Sequence, residues 1–213
     1  WGAICWPEQF DGAPTAEGSV ASATTLPSGI RRRLGVFEKS IVQCVLGLAA
    51  SDEASRVILG SRFGNLSSAA TVLESLGTHS PRSPTLFSHS VLNAGCGVAN
   101  QIRKDRSSHT AVSAGHRTMH GAMTESRLQS EAKEKSTSVK LVLIDTPFPD
   151  SYAPFEGGWQ GNTCVGMRIM RSTTVIRSGA GRNLGGRGYL SLLTSLREGK
   201  RNLSFIEKEW SIS

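Results

Sequence analysis

The chain has 213 residues, 38% hydrophobic and only 6% aromatic, and carries 24 Lys and Arg against 17 Asp and Glu for a net charge of +7. That length supports a substantial core without disulfide staples. The longest strongly apolar run, residues 41–50, is too short to cross a bilayer and is broken by Gln43. The basic balance invites an acidic partner, yet no helix-turn-helix, zinc or RNP pattern accompanies it and the aromatics are not interleaved with it, which argues against nucleic acid.

The sequence opens on Trp1 and a mixed Gly, Pro and acidic stretch with no secretory pattern. The expectation is a cytoplasmic soluble protein whose numbering begins after a disordered or missing start. Residues 11–29, rich in Gly, Ala, Ser, Thr and Pro, read as a mobile loop, so residues 1–29 form an N-terminal segment and residues 30–213 one domain. Helical periodicity covers 34–50, a strand 56–59, and a helix 68–76 that Gly77 ends. Pro81 and Pro84 bracket an irregular lead-in to a helix at about 90–102. A buried strand follows at 110–113, then a helix over 116–132 whose late turns are charged.

Val139 to Ile144, reading Val-Lys-Leu-Val-Leu-Ile, is the clearest strand of all. Pro147, Pro149 and Pro154 force a loop, 164–170 gives another strand, 190–197 a short helix, and 203–210 a closing strand. Alternating strands and helices predict a layered α/β fold.

Residues 110–124 hold the chemistry. A strand end that turns at once into a helix N-terminus presents one side chain to free backbone N–H groups and the positive end of the helix dipole, where a thiolate or oxyanion is stabilised. Ser113, Ala114 and Gly115 permit the tight turn, and Met119, Ala122 and Met123 supply the apolar stripe behind it. No cysteine stands at this turn.

The remaining candidates carry less. Cys5, Cys44, Cys96 and Cys164 lie far apart with no CxxC pair, and read as buried inert thiols. Cys96, flanked by Gly95 and Gly97, has no oriented histidine suggested near it. His116 and His120 have the i, i+4 spacing of a metal pair but lack a third ligand, so no metal is expected. Gly179 to Gly188 is glycine-rich without a GxGxxG register or a Walker lysine, so no cofactor is expected either. Residues 131–136 read as a solvated helix end.

Upstream of the turn, Ser83-Pro-Thr-Leu-Phe-Ser-His-Ser-Val-Leu-Asn-Ala-Gly-Cys-Gly-Val-Ala-Asn-Gln-Ile102 resembles the segment that precedes the active cysteine of β-ketoacyl synthases. Val57 to Leu66 looks like that family's strand and glycine turn, and Leu34 to Ala50 like the helix before it. The likeness covers about 30–170, and is similar in particular to short ketosynthase-like proteins of bacterial aryl polyene pathways, which keep one thiolase-like half. It implies a mixed sheet with helices on its faces.

Carried forward without gaps, the resemblance places His116 where the catalytic cysteine would fall; a one-residue slip places Gly115 there. Neither supplies the thiolate that attacks and later leaves a thioester. The family's further histidines and lysine come from a C-terminal half, and no histidine follows His120. Ser113, Gly115 and His116 are therefore expected to be a nucleophile-turn remnant.

The resemblance implies a non-catalytic subunit of chain-length-factor type. Its partners would be an active ketosynthase, joined as a heterodimer, and an acidic acyl carrier protein. Leu86, Phe87, Val91, Leu92, Asn93, Thr110 and Val112 would form the acyl channel and the interface. Two other readings stand beside it: an acyl-thioester hydrolase or transferase using Ser113 or His116, although no GxSxG is present, and a nucleic-acid-binding module suggested only by charge.

Overall fold

The computed structural model describes residues 3–5, 26–48, 55–78, 83–131, 138–155, 163–169, 176–178, 202–205 and 208–212. Strand β1 (Ala3–Cys5) precedes the helices α1 (Ser28–Arg31) and α2 (Val36–Gly47). After β2 (Arg56–Gly60) come α3 (Leu66–Gly77), α4 (Pro84–Ser90) and α5 (Ala94–Arg103). Then follow β3 (His109–Val112), a 3-10 turn at Gly115–Arg117, α6 (Thr118–Glu131), β4 (Val139–Asp145) and β5 (Thr163–Ile169). These five strands form one sheet in the order β1-β5-β4-β2-β3. β2 runs parallel to β3 and β4, whereas β5 is antiparallel to both β4 and β1.

A second, antiparallel sheet has the order β6-β8-β7, from β6 (Ile176–Ser178), β7 (Asn202–Phe205) and β8 (Lys208–Ile212). Residues 203–210 thus hold parts of two strands rather than one. The expected helix at 190–197, the glycine-rich run at 179–188 and residues 11–25 of the expected loop lie outside the described residues.

The layers follow from alternation along the strands. Val57, Leu59, Val142 and Ile144 point to one face, where they meet Phe37, Ile41, Val42 and Val45 of α2 and Cys96 and Ala99 of α5. Ile58, Leu141 and Leu143 point to the other, onto Met119 and Ala122 of α6. Every residue of β4 is buried, as a strand covered by helices on both sides requires. Burying each large aliphatic contributes about 1.5–3 kcal/mol. Close approach of α2 and α5 depends on Gly95, where a Cβ would stand 2.9 Å from the Cβ of Ile41.

Three local expectations change. The irregular lead-in is helix α4, because Ser83 accepts from the Leu86 N–H at 3.2 Å and Pro84 takes the first turn, where its missing N–H costs nothing. Gly77 is the last residue of α3, with Thr78 as its cap. The strand at the turn, expected to be buried, is half-exposed because β3 lies at the edge of the sheet.

Candidate functional site

The turn sits at the C-terminal ends of β2, β3 and β4, the side on which α/β sheets place their ligands. Ala114 leaves β3 at φ −142°, and Gly115 takes φ +53°, a left-handed conformation that favours glycine. α6 then closes its own first turn. Thr118 Oγ1 accepts from the Ala114 N–H at 2.9 Å and donates to the Gly115 carbonyl at 2.8 Å.

Beneath the turn lies a buried ion pair whose members the sequence reading missed. Arg62 Nε donates to Asp145 Oδ2 at 2.7 Å, while the Arg62 N–H and the Ser61 hydroxyl donate to Oδ1 at 2.9 and 3.3 Å. Burial pushes the Asp145 carboxyl up from its ordinary value, against the opposing pull of the Arg62 charge and of these hydrogen bonds. The Arg62 guanidinium also lies 5.3 Å from the Phe63 ring centre, and Phe63 meets Phe148 edge-on. Asp145, an acidic residue closing a strand whose other residues are apolar apart from Lys140, was the available signal.

Ser113, Gly115 and His116 are brought together, without the geometry of a nucleophile. The Ser113 hydroxyl donates to the Arg62 carbonyl at 2.8 Å, so its proton goes to backbone rather than to an imidazole or carboxylate. His116 is exposed. Cys44, Cys96 and Cys164 are buried free thiols, and burial, aided by neighbouring Cys44, pushes the Cys96 thiol up to about 12. Among the described residues, no group of three His, Cys, Asp or Glu could hold a metal, and no helix is long and apolar enough to cross a membrane.

The residues expected to line a channel or interface are not brought to one surface. Phe87 and Val91 face outward, 63% and 43% exposed, with Leu86 half-buried beside them. Leu92 turns inward against the core under α2 and α5. Asn93 reaches β3, its Nδ2 3.2 Å from His109 Nε2, which places the end of α4 next to the sheet edge. Thr110 accepts from Gln129 Nε2 at 3.1 Å, and Val112 packs on the α6 face of the sheet.

A second polar cluster, also missed, ties α4 to the body. Asn65 Nδ2 donates to Glu38 Oε1 at 2.8 Å and to the His89 carbonyl at 3.0 Å, while Asn65 Oδ1 caps α3 by accepting from the Ser68 N–H. Glu38 is fully buried, and His89 Nδ1 stands 3.9 Å from its Oε1.

This architecture has close counterparts among solved structures. One matching chain comes from the structure of the ketosynthase ApeO in complex with its chain length factor ApeC from Xenorhabdus doucetiae. The match has a TM-score of 0.77 at 21% identity and covers 90% of this chain and 82% of that one. Another is the ishigamide ketosynthase/chain length factor, with a TM-score of 0.56 at 14% identity over 80% of this chain and 56% of that one. At these identities the likeness is one of fold, which is therefore thiolase-like. No curated protein matches the sequence. A match to the beta-ketoacyl synthase N-terminal domain nonetheless runs over residues 4–183, and with the strand-turn-helix and the layered sheet it places the chain in that family.

Proposed function

We propose that this chain is a non-catalytic ketosynthase-like subunit of chain-length-factor type, which pairs with an active ketosynthase and shapes its acyl channel. One observation carries the reading: the turn keeps its backbone form but bears Gly115 and His116, while Cys44, Cys96 and Cys164 are sealed in the core. Condensation needs a thiolate at that turn to accept the acyl chain.

Two surface features support a partner. β3 is an edge strand, and edge strands offer unpaired backbone groups to another chain. Beside it, Phe87 and Val91 expose apolar surface that the fold does not cover. The domain spans 30–213 in this reading, with 1–29 as an N-terminal segment. Leu86, Phe87 and Val91 form the wall that limits chain growth in a fatty-acid-like or polyene pathway. The charge of +7 favours an acidic acyl carrier protein as the delivering partner. The hydrolase reading is disfavoured by the Ser113 hydrogen bond to backbone.

Co-expression with a ketosynthase from the same gene neighbourhood tests the proposal. A stable heterodimer by size-exclusion with light scattering, and no condensation by this chain alone, are the expected results. Persistent monomer beside every such ketosynthase, or acyl transfer lost on His116→Ala, would overturn it.

A further inference from the structure

The basic residues of the domain are of two kinds. Arg62, Arg103 and Arg127 lie beside Asp145, Asp105 and Glu131, and Arg56, Arg117 and Arg168 also have partners within the chain. Arg31, Arg32 and Arg33 differ: among the described residues, none of the three meets an acidic side chain. Arg31 closes α1 half-buried, and Arg32 and Arg33 beyond it are exposed. The nearest acidic residue in sequence, Glu38, is fully buried and bonded to Asn65. α2 extends this surface. Val36, three residues after Arg33, is 51% exposed, and Lys39 and Ser40 follow it at the i+3 and i+4 positions of the same helix face. Phe37, the only aromatic residue of α1 and α2, is turned into the core.

The direction of α2 fixes where this surface lies. Glu38 meets Asn65, which follows the end of β2, and the Ser40 carbonyl accepts from Sγ of Cys164, a residue paired with Ile144 next to the end of β4. α2 thus starts at the C-terminal ends of β2 and β4. Arg31 to Arg33, just ahead of it in the chain, stand at the end of the sheet that carries the turn at Ser113 to Arg117. Lys104 and Arg106 are exposed as well, but they precede β3 and so lie at the opposite end.

We propose that Arg31, Arg32, Arg33 and Lys39, arranged about Val36, form a docking surface for an acidic protein partner and bring it to the end of the sheet that carries the turn. Exposed cations without carboxylates of their own attract the carboxylates of a partner and orient its approach. Val36 supplies an apolar centre inside that charged rim, the arrangement of a protein interface. Single-stranded nucleic acid is held by stacking on aromatic side chains, and this surface offers none. That the acidic partner is an acyl carrier protein rests on the function proposed above; the surface itself rests on charge, exposure and position.

The test is fluorescence anisotropy of a labelled acyl carrier protein from the same gene neighbourhood, titrated with the full chain at about 50 mM and about 300 mM salt. Arg32→Glu combined with Arg33→Glu should weaken binding by about tenfold at the lower salt and by much less at the higher. Lys104→Glu combined with Arg106→Glu makes the same change in net charge at the opposite end of the sheet, and should alter binding by less than about twofold. Val36→Ala should weaken it by about threefold at both salt concentrations, because apolar contact is not screened. Equal losses in the two double variants, no binding by the native chain, or a preference for a labelled single-stranded oligonucleotide would each overturn the docking surface. Because binding is measured on this chain alone, it decides the surface whether or not the heterodimer forms, and light scattering on the mixture with the ketosynthase decides the proposed function separately.

Discussion

Helices α2 and α4 are linked through the side chain of Asn65, and they are held by opposite means. Seven of the twelve residues of α2 are buried, and its apolar stripe fills the space over β2, β4 and β5. None of α4 is buried, and its largest apolar side chain, Phe87, is 63% exposed. Burial of apolar area is non-directional and tolerates partial repacking, whereas a hydrogen-bonded attachment has a geometry and can be released. Such surface is therefore better explained by what α4 meets than by what it supports.

Four changes would break or sharpen that contrast. The largest effect belongs to the α2 side: a Cβ at Gly166 would run into Cys44 Sγ and stand 2.8 Å from Leu48 Cδ1. Gly166→Val should destabilise the whole domain by about 3 kcal/mol, read as a lower chemical-denaturation midpoint with an unchanged slope. An unaltered midpoint would show that α2 is not packed as tightly as its burial implies. On the α4 side, Asn65→Ala removes a helix cap and strands Glu38, and should cost about 1–3 kcal/mol. Its signature is local: exchange should quicken in α3 and α4 well before α2.

A third change isolates the ordinary acid limb of stability. Burial raises the Asp105 carboxyl, but hydrogen bonds from the Ser107 side chain, the Ser107 N–H at 2.8 Å and the Ser55 backbone, with Arg103 nearby, more than offset it, so the net shift is downward. A carboxyl lowered by folding adds stability above its unfolded value and loses it as the pH falls through the folded one. Asp105→Asn should therefore cost about 1 kcal/mol at neutral pH and nothing in strong acid, measured by denaturant titration at several pH values. The same cost at every pH would mean the carboxylate charge is immaterial.

The smallest effect on the isolated chain is expected at Phe87, where truncation to Ala should shift stability by less than about 0.5 kcal/mol. In a reconstituted heterodimer the same change should alter product length without abolishing synthesis. Unchanged products would remove Phe87 from the channel wall.

The contrast also explains how much was legible in the sequence. Residues 34–50 and Val139 to Ile144 announce themselves because each carries its own apolar period, and that period is what buries them. The turn at Ser113 to Gly115 was readable for a similar reason, since small residues between an apolar strand and an amphipathic helix admit few backbone paths. That β3 lies at the sheet edge was not readable, because strand order is a property of the whole topology. The clusters at Glu38, Asn65 and His89, and at Arg62 and Asp145, join residues far apart in the chain, and apart from Asp145 each member looks ordinary in its own window. Leu86, Phe87, Val91 and Leu92 form one apolar group in sequence, yet only Leu92 joins the core.

Cys44, Cys96 and Cys164 lie inside the domain with no exposed sulfur among them, and Cys96 is held in its protonated form by its surroundings. Electrophiles such as iodoacetamide react with thiolates, so in native buffer these three positions should be spared while an accessible nucleophile elsewhere is modified. Mass added at Cys96 then becomes a clock for the rare events in which α5 parts from α2, recorded covalently and without any need for an enzymatic assay.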